Sequence, residues 1–124
     1  MREIIDHKVI PANETLKIVA TDEIGHNGAH HRYEITGHDA LKNPSYDGRD
    51  TVLKMPILFQ QGAVEDVGVN GVTTEGLLAI IVDRLRAIQK GPEASRENAL
   101  VLTKLDEAQH WLIHQDRGAR GNAR

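Results

Sequence analysis

The side chains with the widest chemical reach in this 124-residue chain are its seven histidines. His110 and His114 stand four apart, which places two imidazoles on one face of a helix, with Glu107 one turn earlier as a third candidate metal ligand. A zinc protease needs its glutamate base directly after the first of those histidines, and Trp111 stands there instead, so that catalytic motif is absent. The stronger reading is a pair of solvated histidines near a helix C-terminus, where partial positive charge is favourable. His26, His30 and His31 form a second cluster at a turn and strand start; it could meet a metal or an anion, but exposed polar loop residues are the commoner case. Ser45 and Ser95 are the only serines, and neither lies in a Gly-x-Ser-x-Gly elbow. No phosphate-cradling loop, dinucleotide fingerprint or acidic calcium loop is present. The adjacent acids Asp22-Glu23 and Glu65-Asp66 read as solvated loop charge. No catalytic residue, cofactor or resident metal is therefore expected.

Binding chemistry needs fewer coincidences. Arginine offers forked donors to phosphate oxygens, an aromatic ring offers a face to a base, and Asn or Gln can read a base edge or a ribose. Arg32 beside His31, Phe59-Gln60 ahead of a glycine-rich stretch, Asn70 after it, and Arg84 and Arg96 supply these types. Each has a duller alternative: Phe59 as partial core, Arg84 paired with neighbouring acids, Arg96 next to Glu97 at a helix start.

The elements that must position these residues read as an α+β fold, a small antiparallel sheet of about three strands followed by a C-terminal antiparallel two-helix hairpin. Alternation over 14–20 predicts a strand with Leu16, Ile18 and Ala20 on one face, entered through a turn at Pro11-Ala-Asn. A second strand over 31–36 follows, joined to the first through Gly25-His-Asn-Gly28, whose glycines supply positive-φ positions. Residues 38–51 have no apolar period and predict an exposed loop. Residues 52–60 predict a third strand, at an edge because Pro56 lacks a backbone donor. Residues 61–71 read as a loop allowing close backbone approach. Thr73 or Thr74 caps a helix with Leu77, Leu78, Ile81, Leu85 and Ile88 on its apolar face. Lys90-Gly91-Pro92 ends it, with Pro92 in the first turn of the next helix, which runs to about Asp116. In that helix Ala94, Val101, Leu105, Ala108 and Leu112 form the hairpin stripe, and Leu102 and Trp111 widen it towards the sheet or a second subunit. The expectation is one domain over 1–124, made of a β-rich ligand-binding part (1–71), the hairpin (72–116) and a basic tail (117–124) without order of its own.

Composition excludes several classes. A net charge of −3 lacks the basic excess that binding a nucleic-acid polymer requires. Aromatics make up 3% of the chain, so any base-stacking platform must draw on Tyr33, Tyr46, Phe59 or Trp111. No apolar run approaches the ~20 residues that span a bilayer and no leader opens the chain, so no membrane partner is expected. Without cysteine there is no disulfide framework, which suits a reducing cytoplasm.

Gly28-Ala-His-His-Arg-Tyr-Glu-Ile35, Phe59-Gln-Gln-Gly62, Asn70-Gly-Val-Thr-Thr-Glu75, Asp83-Arg-Leu85 and Arg96-Glu-Asn-Ala-Leu100 together resemble the phage Thoeris anti-defence sponge family, which shares a helical-hairpin domain with anti-CBASS sponges. The resemblance runs from about His7 to Asp116. It implies a protein that acts in the host bacterial cytoplasm, binding cyclic ADP-ribose isomers, and in some members cyclic oligonucleotides at a separate site, without degrading them. It implies Phe59 stacked on adenine, Asn70 hydrogen-bonded to ligand, and Arg32, Arg84 and Arg96 on phosphates. It also implies a homo-oligomer, a dimer through the hairpin or a hexamer. His30 and Gln61 depart from the family's usual residues at their positions. The rival readings are a metal-dependent hydrolase of nucleotide signals and a structural phage oligomerisation protein.

Overall fold

The computed structural model describes the backbone of residues 1–121 and the side chains of residues 1–116. The chain is α+β and divides into two compact units, Met1–Val72 and Thr73–Arg124.

The first unit is built on a four-stranded antiparallel sheet in the order β1 (Arg2–Ile4), β2 (Lys17–Ala20), β3 (Arg32–Thr36), β4 (Lys54–Leu58). There are four strands rather than three: β1 pairs Arg2 with Ala20 and Ile4 with Ile18, and at three residues it is too short to display an alternation. β2 starts later than its alternation suggests. Pro11–Asn13 form a 3-10 turn, and the amides of Glu14 and Leu16 are still bonded back to Pro11 and Asn13. β4 is an edge strand that accommodates Pro56 opposite Glu34. The β2–β3 connection turns at Gly28, at φ 87°. Gly25 is not in the left-handed region and is glycine for a different reason: a Cβ there would lie 2.8 Å from Cε1 of His31.

The loop expected over 38–51 is an ordered structure. Asp39, Asn43 and Asp47 each accept a hydrogen bond from the amide two residues on, Ala40–Lys42 form a 3-10 turn, and the Ala40 amide donates to the Val52 carbonyl at 2.9 Å. After β4 the chain makes a short helix α1 (Val64–Val67) inside the glycine-rich stretch, a third helix beyond the two expected.

The second unit contains α2 (Thr74–Gln89) and α3 (Arg96–Gly121), packed antiparallel. Thr73 caps α2, its Oγ1 accepting from the Gly76 amide at 3.0 Å, with Glu75 in the first turn. Pro92 stays in the connection. The α3 start is set by Ser95, whose hydroxyl accepts from the Asn98 amide at 3.0 Å, while the Gln89 carboxamide grips the Ser95 backbone at 2.7 and 3.1 Å. Those three bonds fix the turn geometry, so the helix opens at Arg96. The half-buried residues of α3 are Asn98, Leu102, Leu105, Ala108, Gln109 and Leu112, and on α2, packed against it, Leu77, Leu78, Val82, Leu85 and Ile88 are covered; Val101 and Ile81, expected inside, are 44% and 46% exposed. The helix continues past Asp116 to Gly121, so the tail is helical that far; its last three residues lie outside those described.

Candidate functional site

Phe59 leaves β4 with its amide donating to the His31 carbonyl at 2.8 Å and then pairs in parallel with Val72, bracketed by Gln60 N to Val72 O (2.9 Å) and Val72 N to Leu58 O (2.8 Å). The eleven-residue excursion from Gln60 to Asn70 is thereby closed at its base. Two side chains then hold its shape. The Gln60 Nε2 donates to the carbonyls of Gly62 (3.2 Å) and Gly68 (2.8 Å) while its Oε1 accepts from the Asn70 amide (2.9 Å). Asn70 accepts from the Gln61 amide (3.0 Å) and donates to the Gln61 carbonyl (2.8 Å). Both donors of the Gln60 amide group are engaged, whereas Asn70 retains one N–H and one acceptor lone pair. Gln60 therefore builds the loop, and Asn70 both builds it and can address a ligand.

The Phe59 ring is half-buried and meets Tyr33 edge to face at 5.8 Å, with His30 against Tyr33 at 6.5 Å. Arg32 precedes Tyr33 on β3, so its side chain leaves the strand on the opposite face from the ring that Phe59 touches. There its guanidinium is hydrogen-bonded to Thr21 Oγ1 (3.0 Å) and ion-paired with Glu34, which also takes Lys54 Nζ at 3.3 Å. The Arg32 hydrogen bond, assisted by Lys54 and opposed by partial burial, holds the Glu34 carboxyl below its ordinary value. A lowered folded-state pKa stabilises the fold above the ordinary carboxylate value of 4.5 and loses that contribution as the pH falls through the lowered pKa. Thermal melts from pH 6 down to about pH 3 should therefore fall less steeply in Glu34→Gln than in the parent. Parallel slopes would remove Glu34 as a source of the acid sensitivity.

His31 belongs to the interior rather than to a displayed surface: it is 6% exposed, its amide donates to Asp22 Oδ2 at 2.9 Å, and its Nδ1 is buried without a partner. His30 is half-buried, with Nδ1 against the Asp22 carbonyl at 2.8 Å and the Asp22 carboxylate at 3.4 Å. His30 and His31 are thus organised by Asp22, which composition alone presents as loop charge, while His26 is exposed in the connecting turn. Partial burial acts to raise the Asp22 pKa, but hydrogen bonds from the backbone of His31 and Arg32, its own amide and the His30 charge outweigh it, and the carboxyl sits low. The only hint of this in the sequence is that Asp22 faces His31 across a predicted hairpin.

On the hairpin, Arg84 is exposed on α2 and Arg96 is exposed as the first residue of α3; the arginine that bridges the two helices is Arg86, to Asp106 at 3.1 Å. His110 and His114 are exposed, their rings edge-on to Trp111 at 5.8 and 5.5 Å. Among the described residues no group of three or more His, Asp or Glu side chains is arranged to hold a metal ion. Likewise no helix among them is long and apolar enough to cross a membrane.

Residues 54–114 match a family model described as the Acb2/Tad1 hairpin domain. A curated relative, Thoeris anti-defense 1 of Bacillus phage SBSphiJ7, is 41% identical over 68 residues, which cover 51% of this chain and 48% of that protein. The chain thus spans about half the length of the curated relative it matches. The matched segment takes in β4, Phe59, the loop held by Gln60 and Asn70, and the α2–α3 hairpin as far as residue 114, so this half of the chain is an Acb2/Tad1 hairpin domain similar to that of a Thoeris anti-defence protein.

Proposed function

We propose that this protein is an anti-defence sponge: it binds a cyclic nucleotide immune signal, a cyclic ADP-ribose isomer or a cyclic oligonucleotide, and holds it without cleaving it, so that the effector in the host bacterial cytoplasm stays off. The hairpin-domain match, together with a relative named for Thoeris anti-defence, carries this reading. A sponge needs slow release and no complementarity to a transition state. The Phe59 face and the remaining valences of Asn70 suit a stacked base, and Arg32, Arg84 and Arg96 are the proposed phosphate contacts. Because Arg32 leaves β3 away from the Phe59–Tyr33 side, a guanidinium opposite Phe59 is most simply supplied by a second copy of the chain.

Exposed apolar side chains on the hairpin support a homo-oligomer. Among the described residues only Ala20, Val82 and His31 are buried, and Ile80, Ile81, Leu100, Val101, Trp111 and Ile113 of the hairpin are 44–66% exposed. An obligate oligomer, dimeric through the hairpin or hexameric, would cover such a surface.

The test is calorimetric titration with cyclic ADP-ribose isomers and cyclic di- and trinucleotides, followed by chromatography of the ligand released on heating. One of them should bind and be recovered intact. Phe59→Ala and Arg32→Ala should each weaken it by about tenfold or more without changing the oligomer mass, as expected for loss of a stacking face or a charged hydrogen bond. A cleaved ligand, or no binding across the panel, sinks the proposal.

A further inference from the structure

The connection between β3 and β4, residues 37–53, lines a half-open groove of about 590 Å³ together with the first residues of β4. This lies within the first unit and does not include Phe59, Gln60 or Asn70. From its lining we infer a second ligand site, for a phosphorylated nucleoside of mononucleotide size.

Connections of this length with no more than one short 3-10 turn of their own are uncommon in compact units and are usually functional or disordered. Here the segment is held by the three side-chain-to-amide turns at Asp39, Asn43 and Asp47 and by the Tyr46 hydroxyl donating to the Asp50 carbonyl at 2.7 Å. None of those bonds buries a sizeable apolar group: Leu41 is 69% and Leu53 61% exposed, so hydrophobic collapse does not explain the order. What the turns do achieve is a concave wall with fixed chemistry.

That chemistry selects the ligand class. Arg49 and Lys54 bring two cations to the lining, Lys54 shared with Glu34 at 3.3 Å and Arg49 with Asp47, and His38 adds a ring nitrogen donor; Asp50 is the one carboxylate in the lining itself. Guanidinium and ammonium groups offer donors only and call for an anion rich in acceptors. Arg49 is at present paired with Asp47 at 3.5 Å with 86% of its side chain exposed, an arrangement worth little, so turning it onto a phosphate costs little. The tethered Tyr46 ring is a flat face of the kind on which a base stacks, and the Asp50 carboxylate can accept from sugar hydroxyls. A volume of 590 Å³ falls inside the range of about 300–1,000 Å³ typical of small-ligand pockets and is far larger than a bare phosphate needs. Ring, hydroxyls and phosphate in one molecule satisfy all parts of the lining together.

Calorimetry on the full chain with AMP, adenosine and inorganic phosphate tests this. AMP should saturate one site per chain, about tenfold or more tighter than either fragment, and Arg49→Ala should weaken it by about tenfold while Phe59→Ala leaves it unchanged. Arg49 is exposed, so its removal leaves folding intact; Tyr46→Leu should weaken AMP and adenosine alike. No saturable heat up to about 10 mM AMP overturns the inference, as does adenosine binding equal to AMP or loss of AMP binding in Phe59→Ala. The inference is independent of the sponge reading, because Arg49→Ala should leave cyclic-signal binding as it is in the parent.

Discussion

Replacing Gly37 by alanine is expected to unfold the sheet unit. Gly37 follows β3 directly, at φ 89°, and a Cβ there would fall on the Thr15 carbonyl group, just ahead of β2. Two costs combine. The left-handed backbone alone disfavours alanine by about 1 kcal/mol. The collision is with backbone rather than with the tip of a flexible side chain, so it is relieved only by parting the β2–β3 pair, where Lys17 faces Thr36. Together they should exceed about 4 kcal/mol, a large part of the stability of a domain this small. Gly48→Ala separates the two terms: φ is 87° there, but no atom lies within 4 Å of a Cβ, so only the conformational cost of about 1 kcal/mol applies. Urea melts followed by near-ultraviolet circular dichroism of the tyrosines would show a folded Gly48→Ala and an unfolded sheet in Gly37→Ala. Equal midpoints would mean that Thr15 and Gly37 are not packed as described.

Gly37 also illustrates where the sequence is legible. The strand at 31–36 is legible through its aromatic and β-branched residues Tyr33, Ile35 and Thr36, although β3 is an inner strand with both faces partly covered, and Pro56 marks β4 as an edge because a missing donor is a local property. The hairpin is legible for the same reason: the Thr73 cap, the Lys90-Gly91 stop and an apolar period act over one turn. What could not be read depends on distant partners. β1 exists through its pairing with β2, not through any pattern of its own. The phase of α3 was open because Val101 and Leu102 are both apolar, and only packing against α2 decides that Leu102 goes in. Pro92 suits a helix start, yet the Gln89–Ser95 bonds override that preference.

The candidate site divides along the same line. Phe59, Gln60 and Asn70 are adjacent in space because β4 and the residues after the loop pair across Phe59–Val72, and their residue types already suggested recognition. Their division of labour did not show in the types: Gln60 is committed to two glycine carbonyls, His31 is interior, and Arg32 is engaged by Glu34. The groove along 37–53 left no apolar signature at all, since its order comes from Asx turns, which look in sequence like any solvated loop.

Gly71→Ala should remove the Phe59 site while leaving the helices formed. A Cβ at Gly71 would lie 2.5 Å from the Phe59 carbonyl carbon and 2.7 Å from both the Phe59 oxygen and the Gln60 nitrogen, distances that real Cβ atoms do not show. All three neighbours are backbone in the Phe59–Val72 bridge, so the strands must separate and the bonds between Gln60 N and Val72 O and between Val72 N and Leu58 O must lengthen or break. Losing two partly exposed backbone bonds and the local packing should cost about 3 kcal/mol. The Asn70 carboxamide then no longer meets Gln61 in register, so the loop opens as well as shifts. Under the proposed function, cyclic-signal binding should fall by about a hundredfold, because ring and carboxamide are displaced together, while the helical far-ultraviolet signal is retained. Gly68→Ala is the comparison: the space around it is open, and its backbone at φ 77° and ψ −178° adds about 1–3 kcal/mol of strain without touching the Phe59–Val72 bridge, so it should weaken binding far less. If Gly71→Ala binds as tightly as Gly68→Ala, the ligand does not depend on the Phe59 loop, and its site must be sought among residues that the Phe59–Val72 bridge does not position.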